Sequence, residues 1–150
     1  MRKDLPTLLL LDTQPARQVA LTDRLSLDFK LCPLPPQADV LRHVRATKPE
    51  MVLLVVHPGF PERTFRLARS LKTELTAVGR LAVVNIEGPD RSIEQARNED
   101  LIDAYYEGPN DLDGIVAFAK AVAAGEDRFE IHERNQTLRI LRRFVARWRT

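Results

Sequence analysis

A chain of 150 residues, 44% of them hydrophobic, is long enough for one domain with a real core and a short extension, and its net charge of +2 from 23 basic and 21 acidic residues makes no demand for nucleic acid, membrane or an acidic substrate. A single cysteine, Cys32, excludes an internal disulfide. The N-terminal apolar run stops at Asp12, too early to span a bilayer and without a small-residue cleavage site, so a reducing cytoplasm is the expected compartment.

The elements follow one another as alternating strands and helices. Leu8 to Leu11 is a continuous apolar run ending at Asp12, the form of a strand covered on both faces. Pro15 suits a first helical turn, where its missing N–H is no loss, and Leu21, Leu25 and Leu27 continue that helix. Phe29 to Leu34 alternates until Pro33 and reads as an edge strand, with Cys32 as a small core residue. Val40, Leu41 and Val44 mark a second helix stopped by Pro49. Met51 to Val56 is a third strand, and Phe65, Leu67, Ala68 and Leu71 have helical spacing after it. Leu81 to Ile86, interrupted by Asn85, is a fourth strand; Ala104 to Glu107, closed by Gly108-Pro109, is a fifth.

The alternation implies a fourth helix between those last two strands. A fifth is capped by Asn110, with Asp111 and Asp113 near its positive end; Ile115, Phe118, Ala119 and Val122 face the sheet, and Gly125 stops it. The expected fold is an α/β, doubly wound, five-stranded parallel sheet with an extra C-terminal helix, divided into a domain of residues 1–125 and a helical extension or linker of residues 126–150.

That extension carries its acids first, Glu126, Asp127, Glu130 and Glu133, and its arginines last, Arg139, Arg142, Arg143, Arg147 and Arg149, as a helix dipole favours. Leu138, Leu141, Val145 and Trp148 recur at spacings of three and four, with Ile131 in phase, and Ile140 and Phe144 widen the stripe. Such a face needs cover from the domain itself, a second copy or a downstream domain.

Chemistry-bearing motifs are sparse. Neither G-x-G-x-x-G nor a Lys-Ser/Thr phosphate loop follows any strand, and no G-x-S-x-G elbow surrounds Ser26, Ser70 or Ser92. His43 and His132 stand alone on predicted helices and read as surface residues; His57 reads as a solvent-facing loop histidine.

Several pieces, in order, resemble the response-regulator receiver family over residues 5–124. Leu10-Leu11-Asp12-Thr13-Gln14-Pro15 is similar to the family's first strand end, normally apolar residues, two acids, a variable residue and proline. Lys48-Pro49-Glu50-Met51-Val52-Leu53-Leu54 aligns without a gap, His57-Pro58-Gly59 resembles its Met-Pro-Gly loop, and Asp103 to Pro109 resembles its fifth strand and terminal Lys-Pro. The resemblance implies sheet order 2-1-3-4-5 and a phosphoacceptor pocket, which this chain has lost.

Val55 stands where the resemblance implies the phosphoacceptor aspartate, Thr13 where it implies a second acid, Ile86 where it implies a hydroxyl and Gly108 where it implies a lysine. Asp12 alone is kept, with Glu87 the nearest candidate for a second acid, too little for a Mg²⁺ site. No cofactor, metal or catalytic residue is therefore expected.

The resemblance implies docking through the fourth helix, fifth strand and fifth helix, near which it places Tyr105 or Tyr106; adjacent on a strand, one should be core and the other partly exposed. The expected function is a phosphorylation-independent signalling module that binds another protein or a downstream effector domain and forms a homodimer, using these tyrosines or Leu138, Leu141, Arg142, Arg143, Phe144, Val145 and Trp148. The alternatives are a small-molecule sensor at the carboxyl edge of the sheet and a DNA-associated regulator using the basic terminal helix, although no DNA-binding motif is present and nucleic acid is not the expected partner.

Overall fold

The computed structural model describes residues 5–35, 39–56, 61–74, 79–86 and 99–132. In chain order these form β1 (Thr7–Asp12), α1 (Pro15–Leu25), β2 (Lys30–Leu34), α2 (Val40–Thr47), β3 (Met51–Val56), α3 (Pro61–Glu74), β4 (Arg80–Asn85), β5 (Ala104–Glu107), α4 (Leu112–Ala123) and β6 (Phe129–Ile131). The helix expected between β4 and β5 falls largely on residues 87–98, outside the described ones. The fifth helix expected from the sequence is therefore α4.

The strands form one sheet in the order β2-β1-β3-β4-β5-β6, every pair parallel. Alternate residues of the apolar runs go to opposite faces. Leu8, Leu10, Leu53, Val84 and Tyr106 meet Leu21, Leu25, Ile115 and Phe118 from α1 and α4. Leu9, Val52, Leu54, Val83 and Tyr105 meet Val40, Val44, Ala68 and Leu71 from α2 and α3. Two covered faces explain why the central strands carry unbroken hydrophobic runs. Cys32, on the β2 edge strand, is partly buried against the second of these cores.

Helix ends follow local chemistry. Pro15 opens α1, Asp39 caps α2 by accepting from the Arg42 N–H, and Lys48 closes α2 in the left-handed conformation at φ 48°. Asp111, not Asn110, caps α4: its side chain accepts from the Asp113 N–H, and Asn110 lies one residue too early. Leu27 leaves the pattern as well. It lies beyond the end of α1 at Ser26 and is 81% exposed.

The main correction is at the sixth strand. Residues from Glu126 were expected to begin a helix; the chain instead turns at Gly125, φ +99°, and β6 joins the sheet beside β5. Arg80 secures the turn, donating to the Glu126 carbonyl at 3.1 Å and to Asp127 Oδ1 at 2.5 Å. Phe129 then packs on the second core, which the period-two spacing of Phe129 and Ile131 permits and a helical period would not. Consequently β5 is an interior strand whose edge is already paired, with the Tyr105 N–H donating to the Arg128 carbonyl at 2.7 Å. No helix among the described residues is long and apolar enough to cross a membrane.

Candidate functional site

Parallel register brings the ends of β1, β3, β4 and β5 to one edge of the sheet. Asp12 pairs with Val55, Val55 with Val84, and Asn85 with Glu107. The Thr13 N–H donates to the Val55 carbonyl at 3.4 Å, and the Gly108 N–H to the Asn85 carbonyl at 3.1 Å. Ile86 follows β4 directly and lies partly buried against the core that contains Val55. All five residues of the pocket expected from the sequence, Asp12, Thr13, Val55, Ile86 and Gly108, therefore gather at this carboxyl edge. Val55 is 1% exposed and offers only hydrocarbon there.

Asp12 is fully buried, and its charge is already answered. Pro15 at the first helical position places Arg17 in the first turn of α1, facing back to the strand end. Its Nε donates to Asp12 Oδ2 at 2.7 Å and its Nη2 to Oδ1 at 2.5 Å, while the Gln14 N–H donates to Oδ1 at 2.8 Å. Two parallel N–H bonds from a planar guanidinium are the strong geometry for a carboxylate. Arg17 is itself 7% exposed, so the pair is buried on both sides. Next to it Gln18 Nε2 donates to the Leu34 carbonyl at 2.6 Å and the Leu10 carbonyl at 3.2 Å, sewing α1 to the ends of β1 and β2.

A receiver-type Mg²⁺ site does not fit these residues. The ion needs a near-octahedral set of oxygens at close range, and both Asp12 oxygens are committed to Arg17 while the Val55 side chain supplies none. No group of three or more His, Cys, Asp or Glu side chains suited to a metal occurs among the described residues.

Just past β5, Gly108 has no side chain and the space above it is filled. A Cβ built on Gly108 would lie 2.6 Å from His132 Cδ2 and 2.9 Å from Cγ, so any side chain there meets the imidazole. The His132 N–H donates to the Glu107 carbonyl at 2.9 Å, and the ring stacks tilted on Tyr106 with centroids 4.7 Å apart. His132 was expected on the surface of a helix; it follows a strand instead, resting on Tyr106 and Gly108 with its side chain still 42% exposed.

Tyr105 and Tyr106 do face opposite sides of the sheet, but both are buried, which corrects the expectation that one is partly exposed. The β6 strand and the two helix layers cover them. Tyr105 Oη donates to the fully buried Glu107 Oε1 at 2.7 Å and accepts from Asn85 Nδ2 at 3.1 Å, a polar chain inside the second face. Tyr106 packs on Phe118, ring centroids 5.7 Å apart, and its hydroxyl donates to the Pro109 carbonyl at 3.3 Å. Burial, then the charges of Asp111 and Glu130, pushes its phenol up to about 12.

Leu138, Leu141, Arg142, Arg143, Phe144, Val145 and Trp148 lie outside the described residues, as do His57 and Glu87. Sequence reasoning missed Arg17, His132 and Glu107. For Arg17 a signal existed, since a cation in the first turn of α1 opposes the helix dipole and needs a compensating acid.

No protein-family model matches the chain, and no curated protein matches it in sequence. Solved structures do. A response regulator from Thermotoga maritima superposes with TM-score 0.66 at 18% identity, covering 81% of this chain and 99% of that one. This chain has the receiver fold. An adenylate cyclase from Rhodopirellula baltica superposes with TM-score 0.66 at 16% identity, covering 80% of this chain and 88% of that one. A putative pilus assembly protein from Sinorhizobium meliloti gives 0.56 at 12% identity, covering 75% and 97%. Relative to the receiver order 2-1-3-4-5 expected from the sequence, β6 adds a strand beyond β5.

Proposed function

We propose that the chain is a phosphorylation-independent receiver-like module that works by protein–protein contact and self-association. The observation that carries this reading is the strand-end triplet in which Val55 lies between Asp12 and Val84, with Asp12 held by Arg17. Valine has no nucleophilic atom, and a carboxylate committed to a guanidinium offers little to a metal. A packed hydrocarbon strand end with the Asp12 charge paired favours one conformation over a phosphoryl-driven exchange between two. The varied descriptions of the structural neighbours, a response regulator, an adenylate cyclase and a pilus assembly protein, support a fold used as a scaffold for more than one output.

The paired β5 edge moves the working surface. A partner meets β6 and the residues beyond it rather than an open β5, and both tyrosines stay inside. The apolar and arginine-rich pattern of residues 133–150 supplies the association surface in this reading. The sheet accordingly extends past Gly125, because β6 belongs to it.

Two measurements test the reading. Incubation with acetyl phosphate and Mg²⁺ leaves the intact mass unchanged; a stable phosphoprotein adduct overturns phosphorylation independence. Light scattering gives a larger mass for the full chain than for a version ending at His132; equal masses overturn self-association through the terminal segment.

A further inference from the structure

We propose that the outer surface of α2 and α3 docks an acidic helix of a partner protein, seated along the groove between the two helices. The inference rests on the reading of the chain as a module that works by protein–protein contact and deepens it, by naming one face and the charge of what binds there.

The two helices pack side by side over one face of the sheet, with Val40, Val44, Ala68 and Leu71 turned into the core. At 100° per residue Arg42 and Arg66 then point away from that core, and both are exposed. Arg69 reaches Glu99 at 2.9 Å and Lys72 reaches Asp100 at 4.0 Å, so this flank of α3 faces the approach to β5. Leu67 lies on the other flank, toward α2. Because the helices run parallel, the flank of α2 that carries Leu41 and Arg45 faces α3 in turn. Leu41 and Leu67 are only partly buried, which gives the groove an apolar floor with arginines along its rims.

Charge on this face is one-sided. No acid occurs from Val40 to Lys48 or from Thr64 to Thr73. Glu99 and Asp100 answer Arg69 and Lys72 from outside the helices, whereas Arg42, Lys48 and Arg66 pair with no carboxylate among the described residues. The opposite layer differs: Arg24 of α1 pairs with Asp113, and Lys120 of α4 lies 3.6 Å from Asp28. A net charge of only +2 therefore conceals a positive surface confined to one pair of helices.

The floor and the rims together select the partner. Cations three residues apart along a helix match carboxylates at three- and four-residue spacing, and an apolar floor takes the leucine stripe of an amphipathic helix. A lipid surface fits less well, since the exposed large hydrophobic side chains among the described residues are Leu5, Val19 and Leu27, none of them on α2 or α3. A nucleic acid has no use for the apolar floor and finds no Phe, Tyr or Trp among the described side chains of these helices on which to stack a base.

The probe is a synthetic helical peptide of about four turns, with glutamates at three- and four-residue spacing around a leucine stripe, titrated into the full chain. It shifts the amide signals of Leu41, Arg42, Arg66 and Leu67, and its affinity falls several-fold from low to physiological salt. Arg42→Glu/Arg66→Glu weakens binding at least about tenfold. The fold is not at stake in that variant, because an acid in the first turn of α2 suits its dipole and position 66 is exposed. Arg24→Glu/Lys120→Glu makes the same change in net charge on the opposite layer, where the exposed ion pairs contribute little to the fold, and weakens binding less than about threefold. Absence of peptide binding, shifts confined to other elements, or equal losses in the two variants overturns the proposal. Tighter binding of a DNA duplex or of anionic phospholipid vesicles at these same amides overturns it too, by giving the face to another class of partner. The phosphorylation and light-scattering tests do not use this face, so the two readings fail separately.

Discussion

The ends of β1 and β5 lie on the same edge of the sheet and have been closed in opposite ways. At β1 a buried charge is kept and answered by Arg17; just past β5, Gly108 carries no side chain, and His132 fills the space above it. One end depends on electrostatic pairing and the other on steric fit. A strand end can thus be held in a single state either by saturating its polar atoms or by leaving no room for them, and the two solutions respond differently to mutation.

The sharpest break of this contrast is Arg17→Ala. Removing one partner leaves Asp12 charged and buried, which destabilises the fold by about 3–5 kcal/mol in chemical denaturation. The double variant Asp12→Asn/Arg17→Met recovers part of that loss, because replacing both partners leaves no unpaired charge. A loss below about 1 kcal/mol for Arg17→Ala indicates that water reaches the pair and that the β1 end is not sealed.

At the steric end the expected effect is smaller and of different origin. Gly108→Ala forces the new Cβ against His132 and costs about 1–3 kcal/mol, while Gly108→Ala combined with His132→Ala costs less than the sum of the two single changes. Additive effects in that double-mutant cycle show that the imidazole does not limit the space at Gly108.

These two ends were unequally legible in the sequence. The unbroken runs Leu8 to Leu11 and Met51 to Val56 announced strands covered on both faces, while their order came from the receiver resemblance. Val55, Ile86 and Gly108 were found by alignment with the receiver pattern, and the register brings them to the same edge as Asp12 and Thr13. Arg17 was passed over because a contact across a strand–helix junction has no period to reveal it. His132 and β6 were misread for a related reason: the acids from Glu126 to Glu133 suit a helix start, and only three residues alternate as a strand. The sheet edge overrode the local preference.

The contrast is sharpened further by Gln18, which supports the electrostatic end without charge. Gln18→Ala removes the bonds to the Leu10 and Leu34 carbonyls and costs about 1 kcal/mol, seen as faster hydrogen exchange at the β1–β2 pairing. Unchanged exchange there shows that Arg17 alone fixes α1 on the strand ends.

Tyr106 gives the smallest effect and separates the two ends by pH. Tyr106→Phe loses one bond to the Pro109 carbonyl at 3.3 Å while keeping the ring against Phe118 and His132, so stability falls by less than about 1 kcal/mol. Its phenol is pushed from the usual 10 up to about 12 by burial and by the nearby Asp111 and Glu130 charges. Between those two values the unfolded chain releases a proton that the folded chain keeps. The stability that Tyr106 contributes is therefore complete below pH 10 and is lost as pH rises through 12. An ultraviolet titration of the wild-type chain shows a tyrosine step near pH 12, and Tyr106→Phe removes it. A step that stays in place in the variant cannot come from Tyr106, and the assignment of the raised phenol to this residue then fails.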